Sequence, residues 1–185
     1  MSDTANIVLA LERHPDSTAS ALRRIEARVM RTPDGVLDIK YALEGDLERL
    51  RLPEMRAPRI GQRLWEHSCF EVFIGRPGFP GYHEFNFAPS GEWAAYAFAG
   101  YRQAAPADQE SIDPHIEVCV GENHFELEAT LHLVRLSSAH VNAKLSLSVS
   151  AVIEDQDGAL SYWALKHPPG KPDFHHADAF VLRLG

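Results

Sequence analysis

Cysteine is scarce in this chain. It has two, Cys69 and Cys119, and two thiols cannot build the disulfide framework that replaces a core in small secreted domains. Long apolar runs are missing as well. Nothing approaches the ~18 consecutive apolar residues of a membrane-spanning helix. The early apolar patch at residues 7–11 is flanked by Asp3 and Glu12 and lacks the basic start and long apolar run of a secretory signal, so the expected location is the cytoplasm. Positive charge is in deficit, with 18 Lys and Arg against 26 Asp and Glu and a formal net charge of −8. Nucleic acid and anionic membranes both demand a basic surface. Arg23-Arg24 is too short a run to supply one, so neither is expected as a partner. Three enzyme signatures are also absent: a glycine-rich phosphate loop, His-Glu-x-x-His and Gly-x-Ser-x-Gly. Their absence favours a protein that binds over one that catalyses.

What the sequence does have is length enough for a core and a clear period of two. A chain of 185 residues, 45% apolar, suits one domain over 1–185 that buries about two-thirds of its unfolded surface. Phe125, Leu127, Ala129, Leu131 and Leu133 alternate with polar residues. So do Leu145, Leu147 and Val149 with Ser146, Ser148 and Ser150. A strand sends such sets to opposite faces. Further strands are expected at 36–43, 69–74, 84–87, 93–98, 116–120, 161–166 and 179–184, with weaker ones at 7–11 and 25–30. Pro33-Asp34-Gly35, Pro89-Ser90-Gly91 and Asp157-Gly158 mark turns between them. Many short strands with regular turns predict an all-β, antiparallel sandwich of jelly-roll type. Propensity also permits a short helix over 19–29, and 47–60, with two prolines, reads as a loop.

Three segments are rich in side chains that recognise ligands. In Leu64-Trp65-Glu66-His67-Ser68-Cys69-Phe70-Glu71-Val72-Phe73-Ile74-Gly75, the residues Phe70, Val72 and Ile74 take the core face and Glu71 the opposite one. Trp65 at the strand entrance is either an aromatic wall or an end cap on the core. Cys69 and His67 share a face, so a nucleophilic pair is conceivable, although a buried inert thiol is the plainer reading. In the second segment, 82–93, Phe85 and Phe87 face the core and leave Glu84 and Asn86 together on the other side. If the two strands pair, Glu71, Glu84 and Asn86 converge. A carboxylate accepts hydrogen bonds and an amide both donates and accepts, a combination that suits sugar hydroxyls. A solvated sheet face is the alternative.

Carboxylates this close repel, so a cation such as Arg102, Lys166 or a metal is expected between them. In the third segment, 162–178, Trp163 and His167 are expected on one strand face and Lys166 on the other. His175-His176 with Asp173 and Asp178 invites a metal reading, but adjacent strand residues face opposite ways. The candidate ligand-binding residues are therefore Trp65, Glu71, Glu84, Asn86, Arg102, Trp163, Lys166 and His167.

Together "LWEHSCFEVFIG", "YHEFNFAPSGEWAAYAFAGYR" and "YWALKHPPGKPDFHHADAFVLRL" resemble the DOMON-like superfamily, in the branch similar to family 9 carbohydrate-binding modules. The resemblance runs from about Leu64 to the C-terminus. It implies a jelly-roll sandwich and a ligand that is a sugar or a similar polyhydroxylated molecule. Where the sugar-binding modules tend to carry acidic residues before the Glu-Val-Phe-Ile strand, this chain has His67-Ser68-Cys69. Relatives that hold haem use His and Met, for which Met30 and Met55 are the candidates here. The expected function is a non-catalytic carbohydrate-binding module. The alternatives are a haem or calcium module, or an interaction domain without a small ligand.

Overall fold

Alternation decides which face each strand turns to the core; burial follows it on the second, third and tenth strands, whereas residues 69–75 and 145–154 are buried on both faces. The computed structural model describes residues 5–17 and 21–185. Its strands are β1 (Ala5–Arg13), β2 (Leu22–Arg31), β3 (Val36–Gly45), β4 (Arg59–Ile60), β5 (Cys69–Gly75), β6 (Tyr82–Phe87) and β7 (Glu92–Gly100). They continue with β8 (Gln103–Ala105), β9 (His115–Val120), β10 (His124–His132), β11 (Leu145–Glu154), β12 (Leu160–Ala164) and β13 (Leu182–Leu184). Among the described residues the α-helix is limited to one turn, α1 (Ser138–Val141).

The strands form one curled sheet in the order β4-β7-β6-β5-β11-β12-β1-β2-β3-β10-β9, with β8 beside β7 and β13 beside β11. The chain is all-β, as expected, and its pairings are antiparallel except for the short parallel contact of β4 with β7. Strand β1 makes the corner. Most of it pairs with β2, while Glu12 and Arg13 cross to β12. The halves on either side of that corner face each other over a common core.

Two expectations give way to packing. Residues 22–29 of the proposed helix form part of β2 instead, because Ile25, Ala27 and Val29 alternate into the core and are fully buried. Tertiary burial outweighs local propensity there; the helix's first residues, 19 and 20, lie outside the described residues. The segment 47–60 is not all loop. It begins with a 3-10 turn at Leu47–Arg49 and ends in β4. Residues 179–184 are shorter as a strand than the pattern suggests, since a 3-10 turn occupies Ala177–Ala179.

The register on β5 and β6 is the one the apolar residues demand. Phe70, Val72, Ile74, Phe85 and Phe87 are all fully buried in the main core. Across that core the halves are tied by aromatic contacts. Tyr41 of β3 packs on Phe70 at 5.0 Å, and Phe70 stacks on Phe125 of β10 at 5.7 Å. The buried Tyr41 hydroxyl donates to the Glu71 backbone carbonyl at 2.7 Å. Removing that hydroxyl leaves the ring packing intact and strands a buried acceptor. Tyr41→Phe is expected to lower stability by about 1–2 kcal/mol, read as a shift in the urea unfolding midpoint with unchanged slope.

Candidate functional site

The face opposite the core on β5, β6, β7, β11 and β12 carries the candidate site. In register, Glu71 lies opposite Asn86 on one side and Ser150 on the other, and Glu84 lies between Phe73 and Tyr96. This face is not the solvated sheet surface that the alternation alone allows. The 3-10 turn Leu64–Glu66 and the loop after β12 cover it and leave a cleft of about 430 Å³, within the usual range of small-ligand pockets. Glu71 and Glu84 line the cleft yet are only 3% and 5% exposed, and Asn86 beneath them is fully buried.

Buried small residues lie on the same sheet face beneath the cleft: Ser148 and Ser150 of β11, Ala164 of β12 and Ala94 of β7. Aromatic residues make the walls: Trp65, Tyr96 and Phe98 on one side, Tyr162 and Phe174 on the other.

The polar groups form a short chain. The Asn86 amide donates to Glu84 Oε1 at 2.9 Å. The Tyr82 hydroxyl accepts the Arg102 backbone N–H at 3.2 Å and so donates to His175 Nδ1 at 2.8 Å. That arrangement puts the imidazole proton on Nε2, which faces Glu84 Oε2 at 3.6 Å. Burial, reinforced by Arg102, holds His175 down at about 4, so at neutral pH the imidazole is uncharged and this contact is not an ion pair. Burial raises Glu84 to about 6, against the pull of the Asn86 hydrogen bond and Arg102. Glu71 is the extreme case. Burial first, then the Glu84 charge, push its carboxyl well above the usual carboxylate range, and Arg102 offsets this only in part. Its carboxyl has no hydrogen-bond partner among the described residues, and Asn86 Oδ1, Ser148 Oγ and Ser150 Oγ have none either.

Five of the eight sequence candidates meet here: Trp65, Glu71, Glu84 and Arg102 line the cleft, and Asn86 supports it from below. The expected cation is Arg102, but its guanidinium is bound to Asp173 at 2.8 Å rather than bridging the two glutamates. Arg102 sits at a hairpin tip with φ 52, a left-handed conformation unusual for a side chain of its kind.

Three candidates lie elsewhere. Trp163 is 5% exposed in the main core, where its indole N–H donates to Ser161 Oγ at 3.0 Å. Its neighbour Tyr162 takes the cleft face. Lys166 is exposed beyond the end of β12. The His167 ring N–H donates to the Glu12 carbonyl at 2.8 Å and anchors the proline-rich loop to β1. Sequence reasoning missed Tyr96, Phe98, Tyr162, Phe174 and His175. For Tyr162 the deciding fact is its pairing with Val152, which continues the serine face of β11, and the sequence alone does not show that pairing.

Other chemistries fit the residues poorly. Cys69 is fully buried, its thiol raised by burial and by the two glutamates, and His67 bonds Glu154 at 2.8 Å instead. His175 faces the cleft while the His176 ring accepts the Asp178 N–H. Met30 lies on the side of β2 away from the core, Met55 is exposed, and neither lines the cleft, so the pair does not suit haem. Among the described residues no three His, Cys, Asp or Glu side chains form a group that could hold a metal ion.

No protein-family model matches the chain, and no curated protein matches it. Among solved structures it is similar to a protein from Bacteroides uniformis whose carbohydrate-binding role is itself provisional. The TM-score is 0.64 over 95% of this chain and 84% of that one, at 16% identity. At that identity the likeness defines a shared β-rich fold and assigns no residue.

The raised Glu71 carboxyl has a consequence for stability. The native chain keeps this proton above the pH near 4.5 at which an ordinary glutamate releases it. Stability contributed at low pH is therefore lost as pH rises toward the native value. Glu71→Gln removes the loss. Its stability relative to wild type is expected to improve between about pH 5 and about pH 8 in urea titrations. A constant difference across that range would show that Glu71 ionises as freely in the fold as in the unfolded chain.

Proposed function

We propose that this chain binds a carbohydrate or similar polyhydroxylated small molecule in the cleft above Glu71, and that it does so without catalysing a reaction. The observation that carries the reading is the pairing of aromatic walls with buried, incompletely bonded polar groups. Sugar rings have apolar C–H faces that lie on aromatic rings, and a rim of hydroxyls that donate and accept. Glu71, Glu84 and Asn86 supply acceptors on the floor. The unpartnered Ser148 and Ser150 hydroxyls lie buried on the same sheet face beneath them. Burying such groups without partners costs stability, and a ligand that bonds them offsets the cost. The fold shared with the Bacteroides uniformis protein agrees with this choice of ligand. The same two facing sheet halves support the finer assignment to a DOMON-like jelly roll of the family 9 carbohydrate-binding kind.

Trp65 offers a direct readout. It is 41% exposed at the cleft, whereas Trp93 and Trp163 are 6% and 5% exposed, so a change in fluorescence on binding reports chiefly on Trp65. A glycan array followed by calorimetry on its hits is expected to find binding accompanied by such a change. Trp65→Ala is expected to weaken it by about tenfold, the loss of one ring contact of roughly 1–1.5 kcal/mol, with the thermal midpoint nearly unmoved. Binding with no fluorescence change and no loss in Trp65→Ala would locate the ligand away from this cleft. No binding across the array would refute the carbohydrate reading.

A further inference from the structure

The cleft has two carboxyl groups and, among the described residues, no cation in contact with either, and this narrows the ligand further. Arg102 is the cation nearest the two glutamates, and Asp173 already holds its guanidinium at 2.8 Å while also accepting from the Tyr101 hydroxyl. That leaves Glu71 and Glu84 without a matching positive charge. The Asn86 amide is committed to Glu84, and the Tyr82 hydroxyl to His175. What remains open to the cleft is the Glu71 carboxyl and Glu84 Oε2, the latter beyond hydrogen-bond distance of His175; Asn86 Oδ1 and the Ser148 and Ser150 hydroxyls are unpartnered but buried beneath them.

Around this floor stand aromatic rings from both flanks. Tyr96 and Phe98 project from β7, and Tyr162 from β12, with β6, β5 and β11 between them. Trp65 sits edge-on to Tyr96 at 5.8 Å and Phe174 packs by Tyr162 at 6.3 Å. Aromatic rings over a desolvated carboxylate are the surroundings that favour an organic cation, because ring faces and carboxylate oxygens both present negative potential.

We propose that the ligand carries an ammonium group, seated between Glu71 and Glu84 under these rings, and that the polyhydroxylated ligand is an amino sugar. This rests on the carbohydrate reading above. An ammonium brings three donors and no acceptor, which matches the two carboxyls that line the cleft, since the neighbouring Asn86 amide and Tyr82 hydroxyl are already committed. Its positive charge pairs with Glu84 and favours ionisation of Glu71, whose proton burial and the Glu84 charge otherwise retain. A metal ion fits less well: the walls are carbon, and although His175 Nε2 lies 3.6 Å from Glu84 Oε2, no three His, Cys, Asp or Glu side chains among the described residues form a group that could hold one.

The test is calorimetry at neutral pH with the common hexosamines glucosamine, galactosamine and mannosamine. Each is compared with its neutral parent sugar and its N-acetylated form, which lack the charge. At least one hexosamine is expected to bind about tenfold or more tighter than both of its uncharged counterparts. Glu71→Gln and Glu84→Gln should each erase that preference, with circular dichroism verifying that the variants fold. Equal or tighter binding of the neutral sugars would overturn the ammonium inference while leaving carbohydrate binding intact. So would array hits confined to uncharged glycans. If no sugar binds but choline or spermidine does, with the same dependence on Glu71, the ammonium inference stands and the sugar reading falls. If none of these binds, both fail.

Discussion

Residue 71 does two things at once, and the molecule is organised around that. Its backbone carbonyl accepts the buried Tyr41 hydroxyl from the opposite half of the sheet. Its side chain turns the other way, into the cleft. The pleat of a strand makes this possible, since neighbouring residues share a backbone line and face opposite layers. Phe70 and Val72 on either side of Glu71 are locked into the core. The carboxyl is therefore held by the best-packed part of the protein and cannot move outward to water without breaking the register. A one-residue slip would send both phenylalanines of β6 into the cleft and every acid into the core, so the site and the core stand or fall together.

Rigidity of that kind explains the electrostatics. A carboxyl on a mobile loop would reach solvent and keep an ordinary affinity for protons. Glu71 stays where burial and the neighbouring Glu84 disfavour its charge. The loop after β12 completes the enclosure. Phe73 and Tyr82 pack against Phe180 and His175, Asp173 draws Arg102 to the rim, and His167 fastens the loop's start to β1. A segment that reads as a proline-rich connection is thus the roof that turns a sheet face into a cleft.

The strands and the acidic floor were legible in the sequence because they depend on local alternation. Once Phe70, Val72, Phe85 and Phe87 are placed inside, Glu71, Glu84 and Asn86 have nowhere else to go. The walls were less legible. Between Tyr162 and Trp163, composition favours neither as the ligand-facing ring; the pairing of Tyr162 with Val152 and of Trp163 with Ala151 decides it, and pairing partners are not visible in a single sequence. His167 and Lys166 were assigned by extending the β12 alternation past Ala164, where the strand ends and parity no longer holds. Phe174 and His175 reach the cleft through the path of a loop, which no periodicity encodes. The helix read at 19–29 failed for the opposite reason: local propensity was heeded where burial of Ile25, Ala27 and Val29 governs.

The floor also carries a cost that the rest of the fold must absorb. A buried polar group left without a partner costs roughly 1–3 kcal/mol, and Asn86, Ser148 and Ser150 each present one here beside an unpaired Glu71. Apolar residues of similar size at these positions would pack without that penalty. Domains of this size are stable by only about 5–15 kcal/mol, so several such groups on one face are a substantial fraction of the whole. The main core, continuous across both halves of the sheet and closed by Tyr41, Phe70 and Phe125, supplies the margin that tolerates them. Unsatisfied groups scattered over a protein would be unremarkable. Of the seven such side-chain atoms among the described residues, three, on Asn86, Ser148 and Ser150, share one sheet face between aromatic walls, the face on which the proposed ligand sits.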